Sequence, residues 1–282
     1  MDSSSKKISF TVVTPSFNQL EHLKRCALSV EDQKGDFNLE YLVHDGQSGP
    51  LFDNWASQQS FAKCISEQDS GMYDAINRGF ARAEGDILAW LNCDEQYLPN
   101  TIATVARFFN ENPDVDILFG DIVIVSVNGT PLGYRHVVKP LTGHIRSCFL
   151  STFSAATFVR RKVIEDGHLL ATQFRAISDA VWIDSLLRAN YRCKVINEPL
   201  AVFTQTGNNL GQTSISKEEG RRWRKTDGCP GKMRRLYWST LHRLRKAMSG
   251  AYRTRDIKVE IYYGFDTSRT ERRALVCERW IK

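Results

Sequence analysis

The chain has no apolar run long enough to cross a bilayer, so no membrane-spanning helix is expected. Its first residues, MDSSSKKISF, lack the apolar core of a signal peptide, and the expected location is the cytoplasm. The seven cysteines (Cys26, Cys64, Cys93, Cys148, Cys193, Cys229 and Cys277) include no CxxC pair, and their number is odd. Paired zinc ligands are thereby excluded, and reduced thiols in a reducing compartment are the better reading. Internal repeats and low-complexity blocks are absent. So is a glycine-rich basic loop after the first strand, where TPSFNQLEHLK stands instead. That absence argues against nucleotidyl transfer.

What is present is 282 residues with a formal charge of +6, unevenly spread. From Lys217 onward there are 19 Lys/Arg against 8 Asp/Glu, a formal +11, whereas the preceding residues carry 19 against 24, a formal −5. A mildly acidic body therefore bears a basic tail, which calls for an anionic partner. Polar and glycine residues cluster in NNLGQTSIS, predicting a division into a body, residues 1–210, and a basic extension, residues 211–282.

Along the body, short apolar and β-branched runs alternate with helical periodicities. Ile8–Asn18, Leu39–Gly49, Asp86–Leu91 and Val115–Asp121 read as strands. QLEHLKRCALSVEDQ, Tyr73–Gly85, Pro99–Pro113 and about Asp179–Ala189 read as helices, and 122–138 as a hairpin around Asn128-Gly129. CKVI and LAVF read as two further strands. This alternation predicts an α/β fold with a mixed, mostly parallel sheet flanked by helices. Ligands of such sheets bind beyond the carboxyl ends of the strands. Asp45 and Asp94 fall at those ends, and Asp69 lies in a loop after the probable strand AKCI. Each acid alone is equally at home in a turn or a helix cap. In AWLNCDEQYL, however, Asp94 and Glu95 follow a buried strand, and two carboxylates there call for a partner such as a metal ion.

Four stretches carry a family likeness: TPSFNQ, VHDGQSG, ISEQDSGMYDAINRGFARAEGDILAWLNCDE and ISDAVWIDSLL. In this order they resemble the family 2 glycosyltransferases, an inverting group with the GT-A fold, in particular a branch serving bacterial polysaccharide and lipid-linked glycan synthesis. The resemblance spans about Ile8 to Phe203. It implies a nucleotide-sugar donor, most simply a UDP-sugar, and a glycan or lipid-linked acceptor. It assigns the nucleotide to Thr14, Pro15, Ser16, Asp45, Asp69 and Asn92, the metal to Asp94 with Glu95, and the catalytic base to Asp179, and Arg78 joins the nucleotide set because a guanidinium suits phosphate oxygens. Two departures stand out. Asn92 replaces the first carboxylate of the Asp-x-Asp motif, and Ser154-Ala155 stands where relatives often have His-Gln, so no acceptor contact is carried over.

The chemistry suits these residue types. A departing diphosphate needs a hard divalent cation, Mn²⁺ or Mg²⁺, held by carboxylate oxygens. Cys93, the one soft atom nearby, is read as packing. Inversion needs a base for the acceptor hydroxyl, and Asp179 opens a helix whose dipole should lower its pKa. Asp184 is the reserve candidate on another face. A second reading keeps the fold and donor binding but not catalysis, as a sugar-binding or scaffold protein.

In the tail, Met233, Tyr237, Leu241, Leu244 and Met248 repeat at helical steps, with Arg234, Arg235, Arg245 and Lys246 largely elsewhere on the wheel. Such a helix either lies on an anionic membrane surface, a peripheral position at the inner face of the cytoplasmic membrane, or packs on the body with its basic side in water. DIKVEIYYG and RALVCERW alternate as a terminal hairpin. No nucleic-acid-binding motif is present, and none of that class is expected as partner.

Overall fold

A computed structural model describes residues 7–207, 209–228, 230–264 and 266–276. The first six residues, Asn208 in the expected boundary, Cys229, and the Cys277–Trp280 end of the expected hairpin lie outside the described residues.

The body begins with β1 (Ser9–Ser16), α1 (Leu20–Glu31), β2 (Asn38–Asp45), α2 (Pro50–Ala56), β3 (Ala62–Ser66), α3 (Met72–Arg82) and β4 (Ile87–Trp90). β5 (Glu95–Tyr97), α4 (Thr101–Glu111), β6 (Ile117–Ser126), β7 (Pro131–Arg135), α5 (Thr142–Ser147) and β8 (Thr157–Arg160) follow. Then come α6 (Lys162–Glu165), α7 (Ser178–Arg188), β9 (Cys193–Gln205), α8 (Ser214–Lys225), α9 (Lys232–Met248), β10 (Arg255–Ile261) and β11 (Thr270–Val276). One sheet runs β3-β2-β1-β4-β8-β6-β9-β5, with β7 paired to β6. The first four strands are parallel, β8 is antiparallel to both its neighbours, and β6 and β9 run parallel.

Covering both faces explains why the first strands read as unbroken apolar runs. One core layer joins the sheet to α1 and α4 through Leu23, Val30, Ile102 and Val105. The other joins it to α3 and α7 through Ile76, Phe80, Trp182 and Leu186. Gly79 lets α3 press onto β1, since a Cβ there would overlap the Val13 side chain. Trp90 belongs to this second layer, edge-on to Trp182 at 5.5 Å between ring centroids.

Four elements differ from expectation. CKVI and LAVF form one strand, β9, with register irregularities against β6 near Pro199, where a missing N–H interrupts the ladder. α2, α5 and α8 are additional helices. α2 and α5 are too short to show a period, and α8 begins at Ser214, inside the polar cluster read as a boundary.

The last quarter folds back on the body. α9 packs on α5, where Gly143 sits under Trp238 and the His144 and His242 rings stack at 4.1 Å. β10 and β11 pair antiparallel, as the alternation predicts, and pack beside β7. Gln96 of β5 and Tyr262 exchange two hydrogen bonds of 3.0 and 2.8 Å, and Arg269 donates to Asp32. Among the described residues no helix is long and apolar enough to cross a membrane.

Candidate active site

The carboxyl ends of β1, β2 and β4 open side by side, and the loops leaving them meet. Ser16 O accepts Gly46 N–H at 2.9 Å, tying the first loop to the second. Asp45 ends β2 fully buried, and its carboxylate accepts both the N–H and the hydroxyl of Ser48 at 2.6 Å. Asp69 accepts Gly71 N–H at 2.8 Å from the loop after β3. Its other oxygen lies against Gly46, where a Cβ would stand 2.9 Å from it and 3.2 Å from the Phe17 ring. Phe17, 60% exposed, thus offers a flat apolar face beside Asp45 and Asp69.

The first loop contributes less side chain than expected. Thr14 is fully buried, and its hydroxyl accepts from Tyr41 at 3.0 Å beside Cys26. Strand alternation turns it into the core, so it shapes the loop from beneath rather than lining it. Pro15 contributes its carbonyl, which accepts the Cys93 thiol at 3.1 Å. Cys93 therefore packs, and it does so from a turn.

Asn92, Cys93 and Asp94 form that turn between β4 and β5. Asp94 is half-buried, with Asn209 Nδ2 3.4 Å from one oxygen. Burial raises its pKa, opposed by its own backbone N–H and by His22 on α1. Asn92 Oδ1 is buried without a hydrogen-bond partner. Glu95 takes a different position from that expected of a ligand. It is 1% exposed, and its Oε2 accepts Asn92 N–H at 2.8 Å. Burial, then Asp94, pushes its carboxyl up to about 8. Pairing of β5 with β9 turns this side chain inward, where it closes the turn.

Arg78 is also differently engaged. Its guanidinium donates to Glu67 at 3.2 Å and to Asp74 at 3.0 Å. Glu67 in turn bonds His44, the neighbour of Asp45, at 2.9 Å. The His44 bond first, then Arg78, holds Glu67 down to about 2. Arg78 thus braces the rim through carboxylates of the protein.

Asp179 lies in the first turn of α7, and its Oδ1 accepts Ala180 N–H at 2.8 Å. Its pKa is raised to about 6, because burial outweighs the backbone donors, so the lowering expected from the dipole does not prevail. Glu95 lies within electrostatic reach of both Asp94 and Asp179. The buried phenol of Tyr73 faces the backbone N–H groups of Ser178 and Asp179, tying α3 to the start of α7. Asp184 is 1% exposed and paired with Arg146 and Arg188, a role within the fold.

The fold thus brings Ser16, Asp45, Asp69, Asn92, Asp94 and Asp179 to one edge, and turns Thr14, Glu95 and Arg78 to supporting partners. Phe17, Ser48 and Asn209 are additions. Phe17 had a signal in sequence, as an aromatic just past Pro15 near the end of the segment read as the first strand, whereas Asn209 reaches Asp94 only through tertiary structure.

The family model described as glycosyl transferase family 2 matches residues 11–167. A PGL/p-HBAD biosynthesis glycosyltransferase of Mycobacterium tuberculosis is 34% identical over 128 residues, 42% of this chain and 48% of that protein. TuaG of Bacillus subtilis, a glycosyltransferase named for teichuronic acid biosynthesis, is 24% identical over 206 residues, 71% of this chain and 80% of TuaG. The chain spans less than half the length of the mycobacterial relatives it matches. Among solved structures, Staphylococcus aureus TarS in complex with UDP-GlcNAc superposes with a TM-score of 0.58 at 16% identity, covering 82% of this chain and 69% of that one. The likeness extends to the fold: a sheet of the GT-A type with helices on both faces.

Proposed function

The chain belongs to glycosyl transferase family 2, and from that premise we propose that it moves a sugar, with inversion, from a UDP-sugar to a glycan or lipid-linked acceptor in surface polysaccharide synthesis. The observation that carries this reading is the gathering of Asp45, Asp69, Asp94 and Asp179 around the carboxyl ends of adjacent strands.

Asp45 and Asp69 hold the uridine, with Phe17 as a stacking face and Ser16 beside the ribose. A divalent cation, Mn²⁺ or Mg²⁺, fits the donor set at the β4–β5 turn. Asp94 offers a carboxylate, the Asn92 carbonyl oxygen lacks a partner, and the Cys93 sulfur is turned away. Among the described residues no three His, Cys, Asp or Glu side chains group as metal ligands. When bound, the ion supplies charge neutralisation for the departing diphosphate. Asp94 and Asn92 fix its position, and Glu95 keeps their turn in shape. Asp179 takes the proton of the acceptor hydroxyl while that oxygen bonds the anomeric carbon and the carbon–diphosphate bond breaks on the opposite face. Burial keeps this carboxyl near neutrality in proton affinity, suited to a base. Residues 211–282 form an extension of this catalytic body, and the enzyme works in the cytoplasm at the membrane face.

The test is a thermal-shift series with UDP and GDP, each with and without Mn²⁺, followed by transfer assays. UDP with Mn²⁺ should raise the melting temperature, and Asp94→Ala should remove the Mn²⁺-dependent part. Undiminished binding and turnover in Asp94→Ala overturns the reading. A second reading is favoured by one observation: with Asn92 in the motif and Glu95 turned inward, a single carboxylate faces the ion. A donor-binding scaffold would bind UDP with Mn²⁺ yet neither hydrolyse nor transfer the sugar.

A further inference from the structure

α9 is mounted with its apolar side outward. Its contact with the body is made by Trp238, His242 and Lys246, the last two buried, over Gly143 and His144 of α5. These positions share one face of the helix. The opposite face carries Met233 (77% exposed), Leu236 (61%), Tyr237 (61%), Leu244 (56%) and Met248 (79%). Successive side chains at steps of three, four and seven make this a continuous stripe along the 17-residue helix. Leu241, counted with the stripe from its spacing, sits half-buried at the border. Exposed Arg234 borders the stripe on one side, and exposed Lys232 and Arg243 border it on the other.

We propose that this stripe docks α9 flat on an anionic phospholipid surface, its apolar side chains among the acyl chains and the bordering cations at the headgroups. Lipid fits the arrangement because it presents the same pairing: an apolar interior beneath a negatively charged plane. A second copy of the chain fits poorly. A two-fold contact along this helix would set basic border against basic border, and five side chains of one helix fall short of the roughly 800 Å² per partner of a stable interface. Nucleic acid would meet apolar side chains where phosphate contacts need cations. The inference rests on the proposed transferase reading only for its purpose, delivery of the site to a lipid-linked acceptor. Vesicle binding requires no donor.

The experiment is co-sedimentation of the full chain with phosphatidylcholine vesicles, with and without phosphatidylglycerol. Wild type should bind the anionic vesicles, lose on the order of tenfold or more in affinity on neutral ones, and weaken with salt. Met233→Ser/Leu236→Ser/Met248→Ser and Arg234→Glu/Arg243→Glu should each reduce binding on the order of tenfold, while the thermal shift with UDP and Mn²⁺ stays at the wild-type value. Met233, Leu236 and Met248 are exposed, so the triple variant spares folding, and the unchanged UDP response checks the same for the arginine pair. Failure of wild type to bind anionic vesicles, or wild-type binding by the apolar triple variant, overturns the proposal. So does a dimer in sedimentation velocity that the triple variant converts to monomer. Loss of the UDP response in wild type would instead count against the transferase reading and leave the vesicle result standing.

Discussion

Glu95 accepts the backbone N–H of Asn92 at 2.8 Å, across the turn that carries Asp94. Two adjacent carboxylates therefore face different surroundings. Asp94 points to the cleft, and Glu95 lies in the interior with its proton affinity raised by burial. A buried acid at the end of an apolar strand is stabilised here by the backbone of its own turn.

That division of labour predicts opposite phenotypes for neighbouring positions. Glu95→Ala leaves the Asn92 N–H without its acceptor and should cost about 1–3 kcal/mol in urea unfolding. Glu95→Gln keeps an acceptor oxygen and should retain most of that stability together with Mn²⁺-dependent UDP binding. Asp94→Asn should do the reverse, sparing stability and losing the Mn²⁺ response. Equal loss of UDP binding in Glu95→Gln and Asp94→Asn would return Glu95 to the ion.

Gly46 offers a separate handle on the nucleotide side. A methyl there approaches Asp69 Oδ2 to 2.9 Å and the Phe17 ring to 3.2 Å, and both are side-chain atoms with room to move. Gly46→Ala should therefore change stability by less than about 1 kcal/mol while displacing Asp69 and Phe17. UDP affinity, measured by calorimetry, should fall on the order of tenfold. Unchanged affinity would remove those two side chains from the nucleotide site.

Much of this was legible in the sequence because it is local. β1, β2 and β4 announced themselves as apolar runs, and Asp45 and Asp94 as polar stops at their ends. What escaped was set by contacts between distant segments. Thr14 looks like a loop hydroxyl until Tyr41, 27 residues on, takes it into the core. Arg78 looks like a phosphate ligand until Glu67 and Asp74 engage it. Spacing along α9 correctly showed an apolar stripe but gave no sign of which face would meet the body. That choice was made by Gly143, whose missing side chain admits Trp238.

Asp179 predicts a pH profile. As the base it must be ionised, so kcat/KM should fall about tenfold per pH unit below its raised value of about 6. Asp179→Asn should cost on the order of 10²–10⁴ in turnover. Its stability effect has a defined sign. Between the ordinary value of 3.8 and about 6, the native carboxyl holds a proton that the unfolded one releases, so this group's contribution declines as pH rises through that window. Asp179→Asn should accordingly be more stable than wild type above pH 6 and equal to it near pH 3.5. A variant that keeps wild-type turnover, or loses stability at pH 8, removes Asp179 from the role of buried base.

The stacked pair His144 and His242 predicts that the seat of α9 is sensitive to acid. Burial depresses both, His144 to about 4 and His242 to about 3, with Arg245 acting on each and Lys246 on His242. Phe149 covers the pair from the side, and its backbone opposes the shift at His144. In the unfolded chain both rings take up a proton near 6.5, whereas the native pair refuses it until far lower pH. The unfolded state thus binds more protons across that window, and stability must fall as pH drops below 6.5. Each ring shifted by this much corresponds to a loss on the order of 2–3 kcal/mol by pH 4.5, about 5 kcal/mol for the pair, read by urea unfolding or by hydrogen exchange along α9. His242→Leu keeps the packing volume and removes one titrating group, so it should flatten the slope by about half. Gly143→Ala supplies the contrast: its methyl would overlap the Trp238 ring, weakening the same contact equally at pH 7 and pH 5. Identical pH slopes in wild type and His242→Leu would show that the pair does not hold α9 in its neutral form.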